Sequence, residues 1–224
     1  LLIDADKIQS HFQEFENYDT LTDTEIFTKM WTEPRTVLKY INQTKYEKYF
    51  YIILFLAGVS GAFDRAAIKN MGENVSLLGI IAGCVLLGGF LGWLSYYIYA
   101  ALLSWTGKWL DGKGNTDSIY RILAYAMFPS VVSLLFLVPQ IAVYGIDLFR
   151  QDGDLVNAGV FGNIIFWGSL SLEIILGIFT LVFSVIGISE VQKISIGKSI
   201  LNLLLPLIII VGPILIIALI AYAF

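Results

Sequence analysis

The sequence holds one histidine, His11, and one cysteine, Cys84, in 224 residues. A lone cysteine allows no intrachain disulfide and no thiolate metal cage. With its only histidine in an acidic N-terminal stretch, the chain can build neither an intramembrane Ser/His pair nor an HExxH zinc helix, which argues against serine and zinc proteolysis in the membrane. Charge is scarce too: 14% of the residues are Asp, Glu, Lys or Arg, where soluble domains carry roughly a quarter. Of the 18 acidic residues, nine precede Tyr49, so the net charge of −4 belongs mostly to an N-terminal arm. An acidic arm argues against a nucleic-acid partner. No charged n-region, short apolar core and small-residue cleavage site follow Leu1, so no signal peptide is read. Nothing in the composition implies a cofactor or a metal.

What the chain has in abundance is apolar length. Hydrophobic residues make up 57% and the mean hydropathy is +0.76. About 20 apolar residues in a helix cross a hydrocarbon core, and five such segments are read, at 49–63, 75–103, 119–146, 163–188 and 200–224. The first is short and can borrow length from Lys45 and Lys48, whose ammonium groups snorkel to headgroups. The expected fold is all-α: a polytopic transmembrane bundle of about five spans over 46–224, an amphipathic helical region over 23–45 and an acidic arm over 1–22.

Basic residues near span ends are retained on the cytoplasmic side. Lys29, Arg35, Lys39, Lys45, Lys48, Lys108, Lys113, Arg121, Lys193 and Lys198 fall on one side, and Arg65, Lys69 and Arg150 on the other. That asymmetry predicts a cytoplasmic N-terminus and an external or lumenal C-terminus.

Ahead of the membrane, Ile26, Phe27, Met30, Trp31, Pro34, Val37, Leu38 and Ile41 recur at three-and-four spacing, which places them on one helical face. Asp23 or Thr24 suits an N-cap. Pro34 lacks a donor and restricts Glu33, so it divides the segment into two short helices. The arm is expected on the bilayer surface or under the bundle, with Met30, Trp31, Pro34 and Arg35 as its marker residues. Membrane anchoring is favoured over a dedicated partner-binding helix.

Glu173 stands out, about ten positions inside the fourth segment and the only acid within the five segments as drawn. An aspartyl mechanism, which needs two carboxyls sharing a proton, is not expected on these segment bounds. A lone carboxyl at such depth is protonated, paired, or facing a watery cavity. Two readings stay open: a neutral hydrogen-bonded glutamate, or a relay or cavity floor for a proton, cation or solute. Ser133, Gln140 and Asn202 are the candidate neighbours at comparable depth.

The second segment carries Gly79, Gly83, Gly88, Gly89 and Gly92, and the first Gly58, Ser60 and Gly61. Such small residues let helix backbones approach, within the chain or in a homo-oligomer. Tyr96, Tyr97, Tyr99, Trp105 and Trp109 read as an interfacial aromatic belt. Pro129 and Pro139 interrupt the third segment, Pro206 and Pro213 the fifth; each frees a carbonyl, more often to bend the helix than to hold an ion. Gly112–Thr116 lacks P-loop spacing and a preceding strand, so it reads as a turn. Its Lys113, with Lys108 and Arg121, forms a cytoplasmic loop surface suited to anionic lipid headgroups or a protein partner.

Three stretches resemble the Yip (Ypt-interacting protein) family of five-span membrane proteins. GKGNTDSIYRILAYAMFP, Gly112 to Pro129, is similar to the family's Gly-rich loop leading into a span. ISEVQKISIGKSILNLLLPLIII, Ile188 to Ile210, is similar to its last loop and final span. MWTEPRTVLKYI, Met30 to Ile41, resembles the Trp/Pro-Arg approach to the membrane in bacterial members. The resemblance implies five spans, a cytoplasmic N-terminus and, for eukaryotic members, work with Rab-type GTPases in vesicle traffic. The Asp-Leu-Tyr-Gly-Pro segment common in eukaryotic members is not found here, so a prokaryotic member in the cytoplasmic membrane is expected. The family supplies no catalytic residue. The first functional expectation is thus a non-enzymatic adaptor or membrane-organising factor. Its rival is a small ion, proton or solute transporter using Glu173.

Overall fold

A computed structural model describes residues 21–155 and 159–223. The acidic stretch over 1–20, with His11, lies outside the described residues. No strand occurs among those described, and the chain is a succession of helices.

Two short helices come first, α1 (Asp23–Lys29) and α2 (Pro34–Thr44). The N-cap is Thr22 and not Asp23 or Thr24: its hydroxyl accepts from the Glu25 N–H at 3.3 Å, while the Glu25 carboxylate accepts from the Thr22 N–H at 2.9 Å. This reciprocal capping box satisfies two orphan donors at once. Pro34 sits in the first turn of α2, where its missing N–H costs nothing, so the expected division at Pro34 is present. Lys45 ends α2 in the left-handed conformation at φ 52°, and the chain turns into the bundle.

Four helical stretches are long and apolar enough to cross a bilayer. The first is α3 (Phe50–Ile68). The second joins α4 (Leu77–Gly83) through a π turn at Cys84–Gly88 to α5 (Gly89–Lys108). The third comprises α6 (Thr116–Ala126) and α7 (Phe128–Tyr144), divided at Met127 with Pro129 in the first turn of α7. The fourth is α8 (Gly159–Gln192). A last helix, α9 (Ile196–Ala223), follows, and its apolar stretch among the described residues, Ile196–Ile210, is the shorter fifth.

The first span extends beyond 63, where the sequence reading ended it. Asp64 and Arg65 stop a hydropathy run, yet they do not stop a helix, and α3 continues to Ile68. Glu173 is therefore not the only acid within the helical spans: Asp64 joins it, as do Asp117, Asp147 and Glu190 close to span ends. The ground for excluding a carboxyl pair is removed with it.

The outer faces are apolar, as they must be against hydrocarbon. Phe90, Leu94 and Ile98 of α5, and Ile174, Ile178 and Leu181 of α8, are all exposed. Inside, two cores form. One, at the arm end, gathers Ile26, Met30, Leu38, Leu103, Tyr125 and Phe183; the other, at the opposite end, gathers Val59, Phe63, Ile80, Cys84 and Phe149. Between α3 and the second span the backbones nearly touch. A Cβ on Gly58 would stand 2.9 Å from the Gly92 Cα, and one on Gly92 would stand 2.6 Å from the Gly58 Cα.

Of the two placements open for the arm, the structure shows the one under the bundle. Ile26, Met30, Val37, Leu38 and Ile41 are 0% exposed. The Trp31 ring meets Phe128, Phe179 and Phe183 at centroid distances of 5.7, 5.4 and 6.0 Å. Aromatic pairs of this kind contribute about 0.5–1.5 kcal/mol each beyond their area. Asp23 then pins α1 to the start of α3: it accepts from Tyr46 Oη at 2.6 Å, from Tyr49 Oη at 2.9 Å and from the Lys48 ammonium. Those donors, Lys48 foremost, lower the Asp23 carboxyl to about 2.

Candidate functional site

The two ends of the bundle differ in chemistry. At the arm end the apolar stripe faces inward, so Met30 is a core residue, Trp31 and Pro34 are half-buried and only Arg35 of the four marker residues is exposed. The outward face of α2 and its cap presents Arg35, Lys39 and Lys45. Lys108, at the end of α5, and Lys113, in the following turn, are exposed too. None of these five cations has a salt bridge among the described residues, whereas Lys48, Lys193 and Lys198 are paired with Asp23, Glu190 and Asp111.

Arg121 does not join this surface. The sequence reading placed it on the cytoplasmic loop, but Asn115 caps α6 and puts Arg121 inside that helix, 7% exposed. Its Nε and Nη2 donate to Glu47 Oε1 at 2.9 and 2.6 Å. A buried guanidinium needs such a partner.

Asn202 also sits elsewhere than expected. It is buried at the arm end, where its Nδ2 donates to Thr106 Oγ1 at 2.8 Å and to the Leu103 carbonyl at 3.2 Å. Its Oδ1 accepts from Gln192 Nε2 at 3.2 Å. Glu173 and Gln192 are roughly 19 positions apart on α8, about 28 Å of helix, so Asn202 and Glu173 do not share a depth. Gln192 is the centre of this network and was not singled out from the sequence. It is 0% exposed, its Nε2 donates to the Leu103 carbonyl at 2.9 Å, and its Oε1 accepts from the Gly114 N–H at 3.0 Å. The turn at 112–114 is thereby clamped to the ends of α5, α8 and α9. A Cβ on Gly114 would stand 2.9 Å from Val191, so the clamp depends on that glycine's missing side chain.

At the opposite end a cavity of about 360 Å³ opens between α3, α7 and α8, under the loop at Leu148, Phe149 and Leu155. Its polar lining is Ser60 and Asp64 from α3, Ser130, Ser133 and Gln140 from α7, and Glu173 and Thr180 from α8. Gln140 and Glu173 are joined, Gln140 Nε2 donating to Glu173 Oε1 at 2.6 Å. Ser130 Oγ donates to Ser60 Oγ at 3.3 Å, and Ser133 Oγ stands 3.4 Å from Ser60 Oγ. Of the three neighbours expected for Glu173, the structure thus brings Gln140 into contact and Ser133 into the same cavity, and leaves Asn202 out. Asp64, missed in the sequence, lines it as well. The signal that could have found it is helical continuation past a single charged pair.

Among the described residues no group of three or more His, Cys, Asp or Glu could hold a metal ion. Toward the arm the cavity stops, since past Thr180 the bundle is filled by Phe179 and Phe183 packed on Trp31 and Phe128.

No curated protein and no solved structure matches the chain. The family model of the Yip1 domain does, over residues 28–219, a stretch that takes in most of the arm, all four long apolar spans, the clamped turn and both Gln192 and Asn202. An arm beginning at α1, apolar spans behind it and a match of that extent make this chain an integral membrane protein of the Yip1 domain family.

Proposed function

We propose that the protein is a non-enzymatic adaptor or membrane-organising factor of the trafficking type, working from the arm end of the bundle. The observation that carries this reading is the docking of the arm. Because α1 and α2 bury their apolar stripe, they hold Arg35, Lys39 and Lys45 outward at the same end of the bundle as Lys108 and Lys113. Rigid presentation lowers the entropy lost when a partner is bound. The ten-to-three distribution of basic residues supports a cytoplasmic position for this face. Its partner is then an acidic protein surface, approached beside anionic headgroups that the same lysines attract.

Charge reversal tests the reading. The triple variant R35E/K39E/K45E changes only exposed side chains and is expected to keep the parent's thermal midpoint. In proximity labelling at the native membrane it is expected to lose the signal from a subset of acidic neighbours. An unchanged set of neighbours, with the variant correctly folded, rejects the arm as the working surface.

Passage of a small ion or solute is the second reading, and the Glu173–Gln140 pair in a polar cavity supports it. It ranks behind the first because the cavity ends against the aromatic packing around Phe183 and does not continue as a polar path.

A further inference from the structure

The cavity at the far end has a composition that the adaptor reading does not use. Two carboxylates from different helices, Asp64 and Glu173, line it together with one amide and four hydroxyls, and no Lys, Arg or His lines it. Asp64 has no hydrogen bond or salt bridge among the described residues. Arg65, next in sequence, is not in the lining; its Nη2 lies 3.6 Å from where a Cβ on Gly61 would be, and it interacts electrostatically with Asp64, so one cation stands against the two carboxylates. Gln140 is 8% exposed and spends its amide nitrogen on Glu173 Oε1, which leaves its carbonyl oxygen and Glu173 Oε2 unpartnered among the described residues. Ser130, Ser133 and Thr180 spend their protons on Ser60 Oγ and on the Ser130 and Leu176 carbonyls, so apart from the second Gln140 N–H and the Ser60 hydroxyl the polar atoms left over are acceptors. Such a lining in a medium of low dielectric calls for a cation that can donate hydrogen bonds.

Size and walls narrow the class. Small-molecule sites run from about 300 to 1,000 Å³, and a water occupies about 30 Å³, so this space is far larger than a bare ion fills. The remaining walls are apolar and aromatic: Phe63, Phe149 and Phe166 with Leu134, Leu137 and Leu176. Aromatic faces attract cations and accept apolar groups. An inorganic ion would leave those walls unused.

We propose that this cavity binds a small organic ammonium ion carrying an apolar or aromatic group, with Asp64 and Glu173 holding the charge and the phenylalanines holding the substituent. Gln140 is a positioning residue that fixes one oxygen of Glu173 and leaves the other for the ligand. Entry is from the end at which Asp64 is exposed, beside Leu148 and Leu155.

Binding of benzylammonium to the full chain in nanodiscs tests this, followed by calorimetry with empty nanodiscs subtracted and with benzyl alcohol and potassium chloride as controls. Saturable binding is expected for benzylammonium and neither control. Asp64→Asn and Glu173→Gln are each expected to weaken it at least about tenfold. Asp64 is exposed at the end of α3, so its variant keeps the fold even where Glu173→Gln does not. Equal binding of benzyl alcohol, saturable binding of potassium that benzylammonium does not displace, parent-like affinity in Asp64→Asn, or no saturation overturns the proposal.

Discussion

Gly92→Leu is expected to abolish the folded state of the bundle, while Gly83→Leu, less than three helical turns away, is expected to be nearly silent. The difference lies in what each new side chain meets. A Cβ on Gly92 would stand 2.6 Å from the Gly58 Cα and 3.4 Å from its nitrogen, both backbone atoms of α3 that have no rotamer to escape into. A Cβ on Gly83 meets nothing within 4 Å. Ordinary overpacking costs about 1–3 kcal/mol when side chains can yield; here the whole of α3 must move from α5, breaking the contact that also holds Gly88 against Ala62. Monodispersity on size exclusion and the thermal midpoint in detergent check this. Gly92→Leu should aggregate or lose its transition, and Gly83→Leu should stay within about 0.5 kcal/mol of the parent, as surface substitutions do. A stable, monodisperse Gly92→Leu would show that the two helices do not meet through these glycines.

The second large effect belongs to Gln192. Gln192→Ala removes the acceptor of the Gly114 N–H and the donor to Asn202 Oδ1, both in a region without water access. Each buried polar group left unpaired costs about 1–3 kcal/mol. Losing the side-chain clamp also loosens the turn at 112–114, which is then held only by Lys113 N–H donating to the Gln192 backbone carbonyl at 2.9 Å and Ser104 Oγ donating to the Gly114 carbonyl at 3.1 Å. The expected result is a loss of several kcal/mol, near the total for a marginally stable protein, together with fast proteolysis at the turn between α5 and α6. Gln192→Glu should be no milder, because a carboxylate there would face the Leu103 carbonyl and Asn202 Oδ1, two acceptors. Protease resistance equal to the parent's in Gln192→Ala would remove the clamp from the account.

Much of this architecture is written in periodicity. Apolar length located the spans, and the three-and-four spacing from Ile26 to Ile41 located the arm and its division at Pro34. What periodicity cannot say is which partner the apolar stripe faces. Lipid and protein interior are equally apolar, so Met30 and Trp31 suit both, and only tertiary packing on Phe179 and Phe183 decides. Span ends were misplaced wherever a charge interrupted a helix that continued, which hid Asp64 from a search for intramembrane carboxylates. The pairing of Glu173 with Gln140 was within reach because both are isolated polar residues mid-span. Asn202 misled for a related reason: the order of spans does not reveal depth, and the register of α9 against α8 places it beside Gln192. Gln192 itself gave no signal, since a single glutamine near a loop is unremarkable in sequence.

The account turns on the arm being built into the bundle, so that its basic face is held outward. Quenching of Trp31 by brominated lipids tests that most directly, in a variant where Trp31 is the sole tryptophan and Trp93, Trp105, Trp109 and Trp167 are replaced by phenylalanine. With its half-buried ring packed on Phe128, Phe179 and Phe183, Trp31 is expected to show only weak quenching by lipids brominated near the headgroup. Strong quenching by lipids brominated near the headgroup would put the arm on the bilayer surface and contradict the account.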